Sequence, residues 1–308
     1  MLLSFITIVF VNILLTDLLL QNLSSFLMSR GIFGIDVNKP EKKKIPEEGG
    51  VSIVFSLILS FTLLSYIFKY EAGLLIIVTT LLICLLGFID YFRNIPPYRK
   101  AGYCAGIGSI YSLYFMQNSD LSILSGISII VIISFGYTVL VNGYNMLAGF
   151  NGLESGITVI TSLTLSIYFF LKGFYTESSF AFITMTSYLV FWRWNKYPAK
   201  IFPGDSGTLV PASIFIGLSI SSNTYIPLLF ISAPHLLNII IRFFSTGVCS
   251  RSDHKPLVYK DGLLHLPKNS YKSLIRLFIL TGAKKEQHIV YFVYAVEILC
   301  CLSLFSVR

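Results

Sequence analysis

The amino-acid sequence predicts an all-α, polytopic membrane protein of about ten transmembrane helices, and three observations carry that reading. Of the 308 residues, 55% are hydrophobic and only 12% are charged, whereas soluble domains carry about a quarter charged residues. Apolar runs recur at the length a bilayer demands, roughly 20 residues for ~30 Å of hydrocarbon. The basic residues fall almost wholly on alternate connections between those runs. Backbone groups in lipid must be bonded within their own segment, which selects helices. The alternating ~10-residue strands of a membrane barrel are absent from the sequence.

The runs, taken in order, lie at 2–26, 51–68, 72–90, 101–117, 121–140, 155–171, 177–193, 207–220, 224–243 and 288–306. The first is too long for a cleaved leader, has no basic residue ahead of it and carries Asp17 inside, so it reads as a span. The eighth is short and contains Pro211, which makes it the least regular of the ten. Together they predict a single ten-span domain over residues 1–308, with a longer connection, 244–287, between the last two spans. The five cysteines (Cys84, Cys104, Cys249, Cys300 and Cys301) show no metal-type spacing. They read as packing residues, with no disulfide framework.

The net charge of +8 does not point to nucleic acid, because of where the charges lie. All but Lys69, Lys172 and Arg308 of the 23 lysines and arginines belong to the connections that follow odd-numbered spans. By the positive-inside rule that side is cytoplasmic and both termini lie outside. The same connections are the long ones: 27–50, 91–100, 141–154, 194–206 and 244–287. Function is therefore expected on the cytoplasmic face.

Each of these connections carries a polar constellation. The first holds Asp36, Asn38 and Lys39, then Glu47, Glu48, Gly49 and Gly50; it suits either a ligand or a basic surface beside anionic lipid heads. The second holds Asp90, Arg93, Asn94, Arg99 and Lys100, either a phosphate site or a capped helix end with snorkelling cations. In the third, Asn142 and Asn145 are three residues apart, so a helical turn directs both amides the same way. Gly149, Gly152 and Gly156 follow, permitting close backbone approach to a ligand just before a helix N-terminus that attracts phosphate. The fourth is Phe202, Pro203, Gly204, Asp205, Ser206 and Gly207. Its carboxylate suits either a helix N-cap or Mg²⁺ shared with a diphosphate. The fifth carries Arg251, Asp253, His254, Lys255, Asp261 and His265, either a diphosphate cradle or a surface segment. Asp17 and Glu297, inside the first and last spans, are expected to pair with hydroxyl or amide groups of neighbouring helices.

In this order the motifs resemble the polyprenyl-phosphate N-acetylhexosamine-1-phosphate transferases, over about residues 30–270. The stretches 36–40, 46–51 and 145–154 are most similar to the eukaryotic and archaeal branch that acts on dolichyl phosphate. The resemblance implies a UDP-GlcNAc donor, a polyprenyl phosphate acceptor, a Mg²⁺ cofactor and a first step in lipid-linked glycan assembly. Asp205 and Asn145 would ligate the metal. Phe202 would stack on uracil, with Gly149 and Asn151 bonding its edge and Glu47 reaching the nucleoside or sugar. Lys100 would hold phosphate, while Asp90, Asn94 and Asn142 would line the acceptor and metal region. Arg251, His254 and Lys255 would contact the diphosphate or sugar.

Two positions depart from the family pattern. Tyr91 stands where a second aspartate is usual, and Arg251, Ser252, Asp253 and His254 replace an Arg-His-Arg cluster. Membrane lipid is an obligate partner, an apolar groove near the third to fifth spans is expected for the polyprenyl tail, and a homodimer is compatible with the sequence. The compact chain suggests an archaeal plasma membrane, with the endoplasmic reticulum as the alternative. A transporter fits the charge distribution less well, since transport sites lie near the midplane. A non-catalytic lipid-binding homologue is the reading that Tyr91 motivates.

Overall fold

The computed structural model describes residues 2–117, 119, 123–246, 257–260, 262–268, 270–280 and 285–307. It is a helical bundle with two small hairpins. In order, its helices are α1 (Leu2–Ser29), α2 (Gly50–Phe68), α3 (Ala72–Arg93), α4 (Pro97–Gln117), α5 (Ile123–Met146), α6 (Leu153–Leu171), α7 (Tyr175–Asn195), α8 (Asp205–Thr208), α9 (Val210–Ser221), α10 (Ile226–Thr246), α11 (Leu274–Leu280) and α12 (Glu286–Leu304). Strands β1 (Phe33–Ile35) and β2 (Lys44–Pro46) form one antiparallel pair, with Gly34 opposite Ile45. Strands β3 (Val258–Lys260) and β4 (Leu263–His265) form the other.

Each expected span falls on helix among the described residues, the eighth as the broken pair α8 and α9. Among the described residues, α1, α2, α3, α5, α6, α10 and α12 are long and apolar enough to cross a membrane. Helix α9, at 12 residues, rises only about 18 Å. All of Val210–Ile220 is buried, so α9 packs against protein rather than lipid. Tyr111 donates to the Ser213 carbonyl at 3.0 Å and Tyr137 to Ser213 Oγ at 2.9 Å, fastening it to α4 and α5.

Polar side chains fasten the bundle elsewhere too, where apolar contact with lipid offers helices no preference for each other. Asn12 of α1 accepts from Thr186 (3.1 Å) and Ser187 (2.9 Å) on α7 and donates to Ser60 of α2 (3.0 Å). Asp17 accepts from Trp194 Nε1 at 2.8 Å, an indole rather than the hydroxyl or amide partner expected from another helix; a carboxamide, Gln21, also donates to it, but from its own helix. Glu297 is fully buried and its contact is the Cys301 thiol, 3.7 Å away on the same helix.

Two boundaries differ from those read in the sequence. Helix α5 continues through 141–146, so Asn142 and Asn145 stand on its last turns rather than in a connection. The connection 244–287 contains the β3–β4 hairpin and the short helix α11. Arg251, His254 and Lys255, the expected diphosphate or sugar contacts, lie outside the described residues.

Candidate active site

The site is assembled where four connections meet. The turn from α3 to α4 explains two of its charges. Asn94 ends α3 in the left-handed conformation (φ 47°) and its amide bonds the Asp90 carbonyl at 2.9 Å. Pro96 and Pro97 cannot continue α3, and Pro97 opens α4 where a helix tolerates proline. The Asp90 carboxylate accepts the Ile95 amide at 2.6 Å. Lys100, one turn into α4, then returns to Asp90, its Nζ 3.1 Å from Oδ2, and donates also to Asp205 at the start of α8. The Asp90 and Lys100 side chains are almost wholly buried, whereas 30% of the Asp205 side chain remains exposed. One cation thus holds two carboxylates from separate helices, with Asp205 the one facing outward.

Close backbone approach makes this possible. A Cβ on Gly87 would overlap the backbone of Asp205 and Ser206, so only glycine lets α3 lie against α8. The segment 46–50 runs beside 202–203 through three amide bonds: Phe202 to Pro46 (2.8 Å), Gly49 to Phe202 (2.9 Å) and Gly50 to Pro203 (2.9 Å). This lays Glu47 and Glu48 next to Asp205. Glu48 is 1% exposed and accepts the Ser206 amide at 3.3 Å. Its carboxyl occupies the space a Cβ on Gly204 (φ 63°) would need. Burial, partly offset by the Ser206 bond and reinforced by Asp205 and Glu47, pushes Glu48 up to about 8. Burial and then Asp205 raise Glu47 as well.

On the opposite wall, Asn145 Oδ1 accepts from Thr208 at 2.8 Å, linking the end of α5 to α8. The Gly149–Asn151 loop is held by a latch from three parts of the chain. Asn38 donates to the Gly149 carbonyl (3.1 Å), and Asn151 donates from its side chain to Asp36 (3.1 Å) and from its amide to Glu286 (2.8 Å). Lys39 closes the latch, 2.6 Å from Asp36 and 2.9 Å from Glu286. Between these walls lies a cavity of about 250 Å³. Glu47, Asn145, Gly149, Asn151, Phe202 and Asp205 all line it.

Of the residues to which the resemblance assigns a role, those six line the cavity, with Asp90 and Lys100 touching it through Asp205. Asn94 is exposed and outside the lining. Asn142 also lies outside it, donating to the Thr138 carbonyl (2.8 Å) and to Cys104 Sγ (3.7 Å). Tyr91 is likewise outside the lining; its hydroxyl accepts the Phe33 amide at 3.1 Å. Sequence reading named Glu48 within its motif without a role of its own, and it did not single out Thr208 or Glu286. For Glu286 no local signal exists, because its partner Lys39 is 247 residues away.

Beside the charge cluster, an apolar groove runs between α3 and α4, about 810 Å³ in volume. Leu82, Leu86, Ile89, Gly102 and Gly106 line it, with Arg93 and Arg99 among its walls.

The oxygen donors at the cavity suit a hard divalent cation held by few protein ligands. Asp205 and Asn145 supply two, with Glu47 near, and Mg²⁺ sites commonly add substrate phosphates and water to one or two carboxylates. Among the described residues there is no cluster of three or more His, Cys, Asp or Glu side chains for a self-sufficient metal cage.

The bundle gathers buried ion pairs, glycine turns and a polar cavity where its connections meet, the arrangement of a membrane protein with a ligand site at the ends of its helices. The model of glycosyl transferase family 4 matches residues 73–223. A Methanocaldococcus jannaschii protein, provisionally named a glycosyltransferase, is 37% identical over 272 residues, covering 87% of this chain and 86% of its own. A Sulfolobus acidocaldarius protein provisionally named UDP-N-acetylglucosamine:dolichyl-phosphate N-acetylglucosaminephosphotransferase is 31% identical, over 88% of this chain and 86% of its own. A Staphylococcus aureus phospho-N-acetylmuramoyl-pentapeptide-transferase is 27% identical over 62% of this chain and 66% of its own. The chain belongs to glycosyl transferase family 4, as the resemblance carried by its motifs implied.

Proposed function

We propose that the protein transfers GlcNAc-1-phosphate from UDP-GlcNAc to a polyprenyl phosphate of the dolichyl type, releasing UMP. The observation that carries this reading is the Lys100 bridge between Asp90 and Asp205, set between a polar cavity and an apolar groove. The cavity suits the water-soluble donor and the groove a lipid tail that cannot leave the bilayer. The names of the archaeal relatives support the same donor and acceptor.

Both reactants are anionic, so the chemistry is one of charge. The acceptor phosphate has a second pKa near ~6 and is largely dianionic at neutral pH, so no strong general base is required. One of its oxygens attacks the β-phosphorus of the donor, a new P–O bond forms, and the bond to the UMP oxygen breaks with inversion. The leaving UMP carries away the electron pair as phosphate charge. Lys100 offsets repulsion between the two phosphates, and Asp90 fixes the direction of its ammonium. Phe202 offers a face for the uracil, and the latched Gly149–Asn151 loop offers backbone and amide groups to its edge. Asp205 and Asn145 would hold Mg²⁺, which when bound stabilises charge developing on the phosphates.

The abundance of basic residues on the connections that build the site supports a cytoplasmic orientation. The decisive assay combines purified protein, Mg²⁺, radiolabelled UDP-GlcNAc and dolichyl phosphate. Labelled lipid from the native chain, lost in Asp205→Ala and under chelation, is the expected result. A sugar-phosphate trapped covalently on an aspartate would overturn the direct mechanism, and no lipid product with any UDP-N-acetylhexosamine would overturn the function.

A further inference from the structure

Behind the candidate active site lies a much smaller pocket, about 10 Å³, whose polar wall is made by Tyr144, Glu154, Thr158, Thr208 and His235. Glu154 and Thr208 also line the main cavity, so the two spaces share a partition. His235 of α10 is 3% exposed. Its ring is stacked on Tyr144 of α5, 3.7 Å between centroids and 11° between planes. That stacking fixes the plane of the imidazole and leaves polar contact to its edge.

Neither ring nitrogen of His235 has a hydrogen-bond partner among the described residues. The Gly143 carbonyl is near enough to act on the ring but lies outside hydrogen-bond geometry. An imidazole keeps at least one N–H donor in either protonation state, and a buried donor left unpaired is costly. The hydroxyl protons around the pocket are already committed. Thr208 donates to Asn145 (2.8 Å), Thr158 to the Glu154 carbonyl (2.8 Å) and Tyr144 to the Ile231 carbonyl (3.3 Å). These hydroxyls therefore present acceptor oxygens to the pocket. A molecule that accepts from His235 and donates to oxygen completes the set. One water fits, since it needs about 10–15 Å³ and about three polar partners.

We propose that this pocket holds a single structural water joining His235 to Thr208 and Glu154, which makes His235 a positioning residue for the site. Thr208 holds the Asn145 side chain, and Glu154 accepts the Gly149 amide at 2.5 Å. The water thus ties both of these walls to α10, a helix that contributes no described residue to the lining of the main cavity. Its effect on turnover rests on the transfer reading above; the water and the loop it steadies do not.

The test has two parts, both on the purified full-length chain. A structure determined at a resolution that shows ordered water is expected to place one peak within hydrogen-bond distance of His235 and Thr208. A pocket without that peak overturns the proposal. Hydrogen exchange read by mass spectrometry then tests the positioning. His235→Leu removes the polar edge at similar bulk, and amides of 146–152 should exchange about tenfold faster than in native protein, with α2 unchanged. His235→Gln, which still donates and accepts, should stay close to native. Native exchange at 146–152 in His235→Leu, or equal acceleration across the bundle in both variants, overturns the positioning role. If the peak and the exchange pattern are found in a chain that transfers no sugar phosphate, the inference stands and the transfer reading falls. If transfer is found and the peak is not, the transfer reading stands and the inference falls.

Discussion

The Tyr91 hydroxyl lies 3.1 Å from the Phe33 amide, so this side chain of α3 holds the first hairpin rather than the site. That contact gives the aromatic side chain a structural role at the position where the resemblance led to the expectation of a second aspartate. The hairpin carries Asp36, Asn38 and Lys39 to the Gly149–Asn151 loop, and Tyr91 fixes its base. Tyr91→Phe removes this bond and the longer one the hydroxyl donates to the Phe33 carbonyl (3.4 Å), costing about 1 kcal/mol of stability. Turnover should change little; a loss as complete as that of Asp205→Ala would place Tyr91 in the chemistry instead.

In the proposed reaction Lys100 holds phosphate as well as the fold, and the two roles separate by double substitution. Lys100→Met leaves Asp90 buried beside an apolar chain, which typically costs about 3–5 kcal/mol, and abolishes transfer. Adding Asp90→Asn to that variant should restore most of the stability measured by thermal unfolding, yet none of the turnover. Recovery of turnover in the double variant would show that Lys100 serves the fold alone.

Glu48 makes stability depend on pH with a definite sign. Its folded pKa of about 8 exceeds its ordinary value of 4.5, so between those values the folded state binds more protons than the unfolded one. Stability is then greatest below about 4.5 as far as this group is concerned, and is lost as pH rises through about 8. In chelator, Glu48→Gln should flatten the decline of the melting temperature between pH 5 and about 8. An unchanged slope would mean that Glu48 is not the proton-binding group.

The groove between α3 and α4 can be blocked without touching a charge. Gly106 faces open space within it, so Gly106→Leu adds volume where a polyprenyl chain would lie. Transfer to a long-chain acceptor should fall several-fold, while a short, water-soluble prenyl phosphate should be used nearly as before. Equal losses with both acceptors would remove the groove from the acceptor path.

The latch offers a test of donor positioning. Glu286 joins Lys39 to the Asn151 amide at 2.9 and 2.8 Å, bonds separate from those of the Asp90–Lys100–Asp205 bridge. Glu286→Gln should raise KM for the UDP-sugar several-fold and leave kcat within about twofold, since it loosens a binding loop and no reacting group. A fall in kcat with constant KM would contradict this.

The sequence alone determined the membrane class, the succession of helices and the short motifs that line much of the cavity. These are legible because lipid imposes length and polarity on each segment independently, and because Asp205, Asn145, Gly149 and their neighbours sit in short local motifs. Only the tertiary structure decided that α9 is enclosed by other helices, that Asn94 and Asn142 lie outside the cavity, and that Tyr91 serves the hairpin. It alone brought Glu286 to Lys39 and set His235 in one pocket with Glu154 and Thr208. Such pairings depend on how helices pack, and packing joins residues hundreds of positions apart with no trace in local periodicity.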